Sequence, residues 1–208
     1  MSDKEERSYS PHLNIITTVS SYKYIKDYKN KLNYKPIFLD IGGRNGEARK
    51  LAIDYEHIIL EIDKEAKLRE NIIAQMVYGD ICYSPFNDNS FDIVFSDNVF
   101  EHIKYPWLAS DECIRICKKG GLLFHIAPFG ARYHPVPGDY FRYTHSGFKA
   151  LFEKNENVET VLTGYDIEKR RKNAIGGKIA GGLDKVPQDE FGGWRENWRC
   201  IYIGRKIK

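Results

Sequence analysis

Residues 38–52 read FLDIGGRNGEARKLA, and the rest of the chain is best interpreted outward from them. An apolar run ends at Ile41, glycines follow at positions 42, 43 and 46, and apolar residues then recur at helical spacing. Glycine lets the backbone turn sharply and approach a ligand, and the start of a following helix offers unpaired N–H groups. The stretch therefore predicts a strand, a ligand-binding turn and a helix. Its glycine spacing differs from GxGxxG, which disfavours a nicotinamide or flavin site.

Short apolar runs alternating with helical periods continue beyond this stretch, as is typical of βαβ units around a largely parallel sheet. One helix is expected within SSYKYIKDYKNKL (20–32), before the first strand. Another follows the fourth strand and is expected to end at Gly120-Gly121, and a third covers FKALFEK, starting near Thr144 or His145. The predicted strands are IFLDI (37–41), HIILEID (57–63), MVYGDI (76–81), FDIVFSD (91–97), LLFHIAPF (122–129), VETVLTGYD (158–166) and WRCIYIGRK (198–206).

Two regions fall outside this pattern. Residues 1–35 precede the first strand and are expected to form a helical extension or a lid, and residues 36–208 form the main domain. A Gly-rich, basic insert at about 165–195 is long enough to be a mobile functional loop or a locally disordered segment. Its KRRK run (169–172) is best interpreted as a solvated face.

Composition and charge limit the classes of protein to which the chain can belong. Its 208 residues, 42% hydrophobic and 29% charged, predict one domain whose core needs no disulfide or metal. A net charge of +3 is too small a bias to indicate nucleic acid or an anionic membrane as partner. No apolar run could span a membrane, and the polar N-terminus lacks the core of a signal peptide, so a cytoplasmic location is expected. The four cysteines form no CxxC pair and are expected to be small buried hydrophobes.

Acidic residues stand at the carboxyl ends of the strands after the glycine turn. Glu61 and Asp63 close the second strand, Asp80 follows the third, and Asp97 closes the fourth. Ligands of open α/β sheets bind outside these strand ends, so the acids and the glycine turn are expected to share one site. A carboxylate after the second strand can accept from both hydroxyls of a ribose, and one after the third from an adenine amine. The pattern indicates an adenosine-shaped pocket.

Across about residues 35–165 the chain resembles the class I S-adenosylmethionine-dependent methyltransferases. The family writes D-x-G-x-G-x-G after its first strand; Asp40, Gly42 and Gly46 match, and Arg44 replaces the middle glycine. VYGDI (77–81) resembles the third-strand motif, and SPFNDNSFDIVFSDNVFEHI (84–103) is similar to a segment of the subgroup that includes ubiquinone-biosynthesis enzymes. KKGGLLFHIAPF (118–129) resembles the LKPGG segment and fifth strand. The resemblance implies an α/β, Rossmann-like methyltransferase fold: a seven-stranded, mostly parallel sheet with its last strand antiparallel and helices on both faces.

S-adenosyl-L-methionine is the cofactor that this resemblance implies, bound at the switch point of the sheet. Its amino acid end is expected at the glycine turn, its ribose at the acid after the second strand, and its adenine at Asp80. For the ribose we favour Asp63, which best closes the strand in the family pattern; Glu61, two residues earlier on the same strand face, stays the alternative. The predicted cofactor-binding residues are Asp40, Gly42, Gly43, Arg44, Gly46, Asp63, Gly79, Asp80, Ile81 and Asp97.

Histidines and the loop after the fifth strand predict the acceptor side. Transfer to a hydroxyl needs alignment and removal of a proton, which a neutral histidine can perform near pH 7. His134, in that loop, is the favoured base and His102 the second choice. His125 lies inside a strand and is expected to belong to the core.

The loop APFGARYHPVPGDYFRYT, residues 127–144, resembles the HP-x-P-x-D-Y-x-R-[FY]-T segment of methyltransferases found with polysaccharide and glycan biosynthesis. Its carboxylate, guanidinium and aromatic groups suit a sugar or sugar-nucleotide acceptor. A rigid loop in which Asp139 pairs internally with Arg142 is a second interpretation, compatible with the first. The predicted catalytic residues are His134, His102 and Asp139, and the predicted substrate-binding residues are Arg132, Tyr140, Arg142 and Trp194.

These expectations combine into a cytosolic O-methyltransferase that acts on a hydroxyl of a sugar or sugar nucleotide in polysaccharide biosynthesis, with a homodimer left open. No ligand spacing in the sequence indicates a metal site. Methylation of RNA or of a lipid quinone stays an alternative, with nucleic acid the less favoured partner, and so does a non-catalytic binding protein that kept the fold. A dinucleotide oxidoreductase ranks last because its glycine spacing is missing.

Overall fold

The structure is a computed structural model, and it describes residues 15–45, 48–68, 71–131, 133–135, 137–154, 156–166 and 198–208. The described helices are α1 (Thr18–Ser21), α2 (Lys23–Lys29), α3 (Pro106–Ile116) and α4 (His145–Glu153). Short 3₁₀ turns cover Gly43–Asn45, Ile81–Tyr83 and Phe100–His102. The described strands are β1 (Ile37–Ile41), β2 (Glu56–Glu61), β3 (Gln75–Tyr78), β4 (Phe91–Asp97), β5 (Cys117–Gly130), β6 (Val158–Asp166) and β7 (Trp198–Lys206).

The described strands form one seven-stranded sheet in the order β3-β2-β1-β4-β5-β7-β6. β1 pairs in parallel with both β2 and β4, so the order of the strands reverses between those two neighbours. β7 runs antiparallel between β5 and β6. The topology confirms the predicted Rossmann-like methyltransferase fold, and it places the switch point of the sheet at the end of β1.

Helices cover both faces of the sheet, as predicted. On one face, Phe148 and Phe152 of α4 pack against Phe100 and against Tyr202 of β7. On the other face, α2 buries Ile25 against aromatic rings whose centroids lie 5.5 Å apart along the sheet. Those rings belong to neighbouring strands, and they are Phe38, Phe95 and Phe124.

The segment after β1 differs from the predicted helix. Residues 48–55 form successive turns, in which the N–H groups of Leu51 and Ala52 both donate to the carbonyl of Ala48. The helical spacing still marks the buried side, because Ala48, Ala52 and Tyr55 are all in the core. β2 begins at Glu56, directly after these turns.

Two further helix boundaries also differ from the sequence prediction. The N-terminal helix is interrupted at Tyr22, and near the break the Ser21 hydroxyl donates to the Thr18 carbonyl at 2.6 Å, a contact that competes with regular helix bonding. α3 ends at Ile116 rather than at the glycine pair. Gly120 and Gly121 instead lie within β5, where a Cβ on Gly121 would approach the Asp92 carbonyl to 2.8 Å, so glycine is required by the close approach of β4.

The first described residues dock on the end of the sheet. Ile15 bridges to Tyr165, and the N–H of Thr18 donates to the Asp166 carboxylate at 2.9 Å. All four cysteines are buried and unbridged, as predicted. Within the part of the chain that the structure describes, no helix has both the length and the apolar character needed to cross a membrane.

Candidate active site

A cavity of about 260 Å³ opens at the carboxyl ends of β1, β2, β3 and β4. It therefore lies at the switch point, where the fold predicts a ligand. The side chains and backbone that line it are Ile41, Gly42, Arg44, Leu60, Glu61, Ile62, Gly79, Asp80, Ile81, Asn98, Val99, His102, Ile103 and Pro137.

The glycine turn forms one wall of the cavity. Gly42 has a φ of 70°, and a Cβ there would come within 2.9 Å of Val99 Cγ2. A Cβ on Gly43 would overlap the carboxylate of Asp40. Gly42 is therefore required for its left-handed backbone conformation, and Gly43 is required because a side chain would not fit beside Asp40. Gly46 lies outside the described residues.

Asp40 supports this turn from below. It is buried, its carboxylate contacts Gly43, and its Oδ2 lies 3.4 Å from Nε2 of His57 on β2. The carboxylate does not line the cavity, so its predicted contact with the cofactor stays a prediction.

The acid at the end of β2 is Glu61 rather than Asp63. Glu61 is 6% exposed and lines the cavity. Asp63 stands two residues beyond the strand; its carboxylate is half exposed, accepts from the N–H of Glu65 at 3.0 Å and does not line the cavity. The structure thus favours the alternative and corrects the preference for Asp63, because β2 stops pairing with β3 at Glu61.

Arg44, which replaces the middle glycine of the family motif, lies at the rim of the cavity. Its Nε lies 3.7 Å from Glu61 Oε2, and its Nη1 donates to Asp63 Oδ2 at 3.2 Å. The guanidinium therefore bridges both acids after β2. Any ligand hydroxyl that binds Glu61 does so beside a fixed positive charge.

The segment after β3 forms the opposite wall. The N–H of Gly79 donates to the Glu61 carbonyl at 2.9 Å, which ties the two walls together. Asp80 caps the following 3₁₀ turn, with Oδ1 accepting from the N–H of Cys82 at 2.8 Å. Gly79, Asp80 and Ile81 all line the cavity, where the sequence predicted them to be.

Asp97 lies away from the cavity, contrary to the sequence prediction. Arg199 on β7 donates to both of its carboxylate oxygens, at 3.0 and 3.1 Å. The same guanidinium lies 3.6 Å from Asp166 and donates to the Thr18 hydroxyl. Asp97 thus joins an ion-pair network that holds the docked N-terminal segment. Asn98, which sequence reasoning missed, lines the cavity instead and has a φ of 57°, a conformation that asparagine tolerates.

A second group of polar side chains adjoins the cavity at His102 and Pro137. Glu101 is fully buried, and its Oε1 lies 3.7 Å from His102 Nε2 and 3.8 Å from His134 Nε2. The two imidazole rings meet edge to face with centroids 4.9 Å apart. The structure therefore brings together both predicted bases, and it adds Glu101, which the sequence analysis did not single out.

Charges in this group are unevenly distributed. Burial raises the pKa of Glu101 to about 8. The pKa of Asp139 is instead lowered, to about 2, because the Arg142 guanidinium donates hydrogen bonds to its carboxylate. The loop thus contains the predicted internal pair, and Arg142 also donates to the Ala131 carbonyl at 3.0 Å. His134 lies against this pair, with Nδ1 3.5 Å from Asp139 Oδ2.

The loop is fixed over Glu101 by its backbone. The N–H of Tyr140 donates to the Glu101 carbonyl at 2.7 Å, while the Tyr140 side chain is exposed. His125 is buried, with Nδ1 2.9 Å from the Ser96 hydroxyl, and so belongs to the core as predicted. Arg132 and Trp194, both predicted to bind substrate, lie outside the described residues, as does most of the Gly-rich insert.

Comparison with known proteins agrees with this architecture. Residues 37–125 match the family model described as a methyltransferase domain. An uncharacterised protein of Methanocaldococcus jannaschii is 33% identical over 99 residues, which make up 48% of this chain and 43% of that protein. Malonyl-[acyl-carrier protein] O-methyltransferase 1 of Coxiella burnetii is 30% identical over 112 residues, 53% of this chain and 37% of that enzyme. The chain therefore spans less than half the length of these curated relatives.

A solved structure of a SAM-dependent methyltransferase from Thermotoga maritima superposes with a TM-score of 0.57. The superposition covers 90% of this chain and 89% of that one at 18% sequence identity, so the likeness shows the fold. The family model and the solved structure both support the predicted cofactor, S-adenosylmethionine. Residues 37–125 accordingly match a methyltransferase domain, and the sheet that they share with β6 and β7 has the fold of a solved S-adenosylmethionine-dependent methyltransferase.

Proposed function

We propose that this protein transfers a methyl group from S-adenosylmethionine to a hydroxyl group of a sugar or sugar nucleotide. One observation carries the proposal: the cavity at the switch point adjoins a group of carboxylates and imidazoles through His102 and Pro137. A donor pocket and a proton-accepting, polar acceptor surface thus belong to one site. The link to polysaccharide biosynthesis rests on the resemblance of the loop at 134–144 and is part of the proposal.

Three features of the cavity fit the donor. The turn at Gly42 and Gly43 has no room for side chains, so backbone N–H groups can approach the amino acid end. Glu61 is buried at the cavity wall and would accept hydrogen bonds from the ribose hydroxyls. Asp80 would accept from the adenine amine. When bound, the donor supplies a methyl group already activated by its sulfonium.

On the acceptor side, this chain aligns the hydroxyl and accepts its proton. His134 and His102 both direct Nε2 toward Glu101, at the edge of the cavity. Nδ1 of His134 lies 3.5 Å from Asp139 Oδ2, so a proton on Nδ1 would face that carboxylate and Nε2 would be the basic nitrogen. The Arg142 fork keeps Asp139 ionised and fixes its position. Such charged, rigid groups suit a hydroxyl-rich acceptor.

Donor binding is the first test. The unfolding temperature is measured with S-adenosylmethionine and with its demethylated product, since a ligand at 100 times its Kd stabilises by about 2.7 kcal/mol. We expect a clear shift with both, a much smaller one in Asp80→Asn, and an unchanged one in Asp54→Asn, an exposed control far from the cavity. The absence of any shift at saturating ligand would refute the proposed function.

The acceptor is tested with donor labelled in its methyl group. The purified chain is offered sugar nucleotides, free sugars, total RNA and a quinone precursor, and the label is counted in each fraction. We expect label in a carbohydrate fraction only, with little dependence on salt. Label in RNA, with affinity that falls steeply as salt rises, or label in the quinone alone would overturn the acceptor class.

A further inference from the structure

Three potential metal-binding side chains converge beside the donor cavity. Oε1 of Glu101 faces Nε2 of His102 at 3.7 Å and Nε2 of His134 at 3.8 Å. One ligand atom from each residue lies within 4.8 Å of the other two. We propose that Glu101, His102 and His134 bind one divalent transition-metal ion at the acceptor side of the cavity.

The burial of Glu101 is an independent indication of a cation. Its side chain is 0% exposed, and neither carboxylate oxygen accepts a hydrogen bond from a residue that the structure describes. A buried carboxylate normally has hydrogen-bond donors, an ion-pair partner or a metal. Here the two imidazole nitrogens face the carboxylate, and a shared ion would satisfy all three groups.

The outer contacts of both histidines are those of metal ligands. Nδ1 of His102 meets the Gly138 carbonyl, and Nδ1 of His134 lies 3.5 Å from Asp139 Oδ2. Metal-binding histidines usually direct the remote ring nitrogen to a carbonyl or carboxylate, which fixes the tautomer and leaves the other nitrogen for the ion. Arg142 in turn holds Asp139, so the support extends beyond the first contact.

The ligand set selects the class of ion. Two imidazoles and one carboxylate suit Zn²⁺, Fe²⁺, Co²⁺ or Mn²⁺, whereas Mg²⁺ and Ca²⁺ prefer oxygen ligands throughout. Bonds of about 2.1 Å separate neighbouring ligand atoms by roughly 3.0–3.4 Å, a few tenths of an ångström less than the distances to Glu101. His134 can close this gap, because its side chain is 44% exposed on a loop.

Three protein ligands leave coordination positions open to a further oxygen. His102 also lines the cavity, so an ion bound to it would lie next to the donor pocket. With the ion bound, Nε2 of each histidine is a ligand and no longer the base; the ion would instead hold an acceptor oxygen and lower the pKa of its hydroxyl, whose proton then passes to solvent. This catalytic role rests on the proposed function, whereas the binding of the ion does not.

The test uses the full chain with any polyhistidine tag removed, stripped with a chelator and titrated with Zn²⁺, Mn²⁺ and Co²⁺. We expect one ion per chain, a higher unfolding temperature, and visible absorption bands from bound Co²⁺. Affinity should fall at least tenfold in Glu101→Gln and in His134→Ala and stay unchanged in His145→Gln, a control outside the cluster. His134→Ala alters an exposed loop residue, so it keeps the test valid if Glu101→Gln fails to fold.

Binding that is absent, that exceeds one ion without saturation, or that survives both cluster variants would overturn the metal site. Donor affinity is measured in parallel on the stripped protein by calorimetry. Donor binding without metal binding would refute the ion and leave the proposed function standing. Stoichiometric metal binding without donor binding would refute the proposed function and leave the metal site standing.

Discussion

Replacing Glu61 by glutamine tests which acid binds the ribose of the donor. The change keeps the size of the side chain and one acceptor oxygen, but it removes the charge and the second acceptor. Hydrogen bonds to a charged group contribute about 1.5–3 kcal/mol, which corresponds to a Kd that rises roughly 10- to 150-fold. In the native chain Glu61 Oε1 accepts from the N–H of Asp63 at 3.2 Å. The amide oxygen of the substituted side chain can still accept this bond, so we expect the unliganded protein to keep its stability.

The matched control is Asp63→Asn, which removes a charge of the same sign close by. The Asp63 side chain is 50% exposed and does not line the cavity, so we expect its Kd to stay within about twofold of the native value. Isothermal titration with the demethylated product measures both variants without turnover. Equal losses in the two variants, or a larger loss in Asp63→Asn, would refute the assignment of Glu61.

Three further predictions concern the turn, the core and the N-terminal dock. In Gly43→Ala the new methyl group overlaps Asp40, so thermal unfolding should show a loss of about 1–3 kcal/mol together with weaker donor binding; native stability would contradict this. Burial lowers the pKa of His125 to about 3, so the unfolded chain binds the extra proton below about pH 6.5. Stability should therefore fall by about 2 kcal/mol from pH 7 to pH 5, and urea titrations at both values should show a shallower fall in His125→Gln. Arg199→Met removes the guanidinium that pairs with Asp97 and Asp166 and should destabilise by about 3–5 kcal/mol without changing donor affinity; a change in Kd alone would restore Asp97 to the donor site.

Strands were the most predictable part of the fold. The bounds of β1, β4, β6 and β7 coincide with the predicted runs, because each is a short segment rich in β-branched and aromatic residues. The crossover after β1 was less predictable. Its periodicity gave the buried side correctly, but that spacing does not distinguish a regular helix from successive turns that bury the same residues.

In the candidate site, local sequence signals predict which residues stand at the strand ends, whereas interaction partners that are distant in sequence have no local signal. The positions of Gly42, Gly43, Asp80 and both predicted bases follow from sequence next to strand ends. The choice between the two acids after β2 depends on the last paired residue of that strand, which no local pattern marks. Asp97 finds its partner on β7, at the far end of the described chain, so its sequence context could not reveal the ion pair.

Glu101 was missed for the same reason. The FEHI segment contains it beside His102, and the pattern alone gives no sign that the carboxylate is buried. Burial arises because the loop at 137–144 folds back over the 3₁₀ turn, with the N–H of Tyr140 on the Glu101 carbonyl. A glutamate directly before a candidate base, followed by a proline-restricted loop, is the signal that could have indicated it.

The position of β7 in the sheet determines when the domain can be completed during synthesis. β7 follows every other described strand along the chain, yet it lies between β5 and β6 and pairs with both along most of their length. Until residues 198–206 leave the ribosome, the two earlier strands have unpaired edges that face each other across a gap, and such edges invite pairing with other chains. The Arg199 that fixes the first described residues arrives in the same step. Both ends of the described fold therefore close together, and a nascent chain stopped before β7 exposes its sheet to chaperones and aggregation.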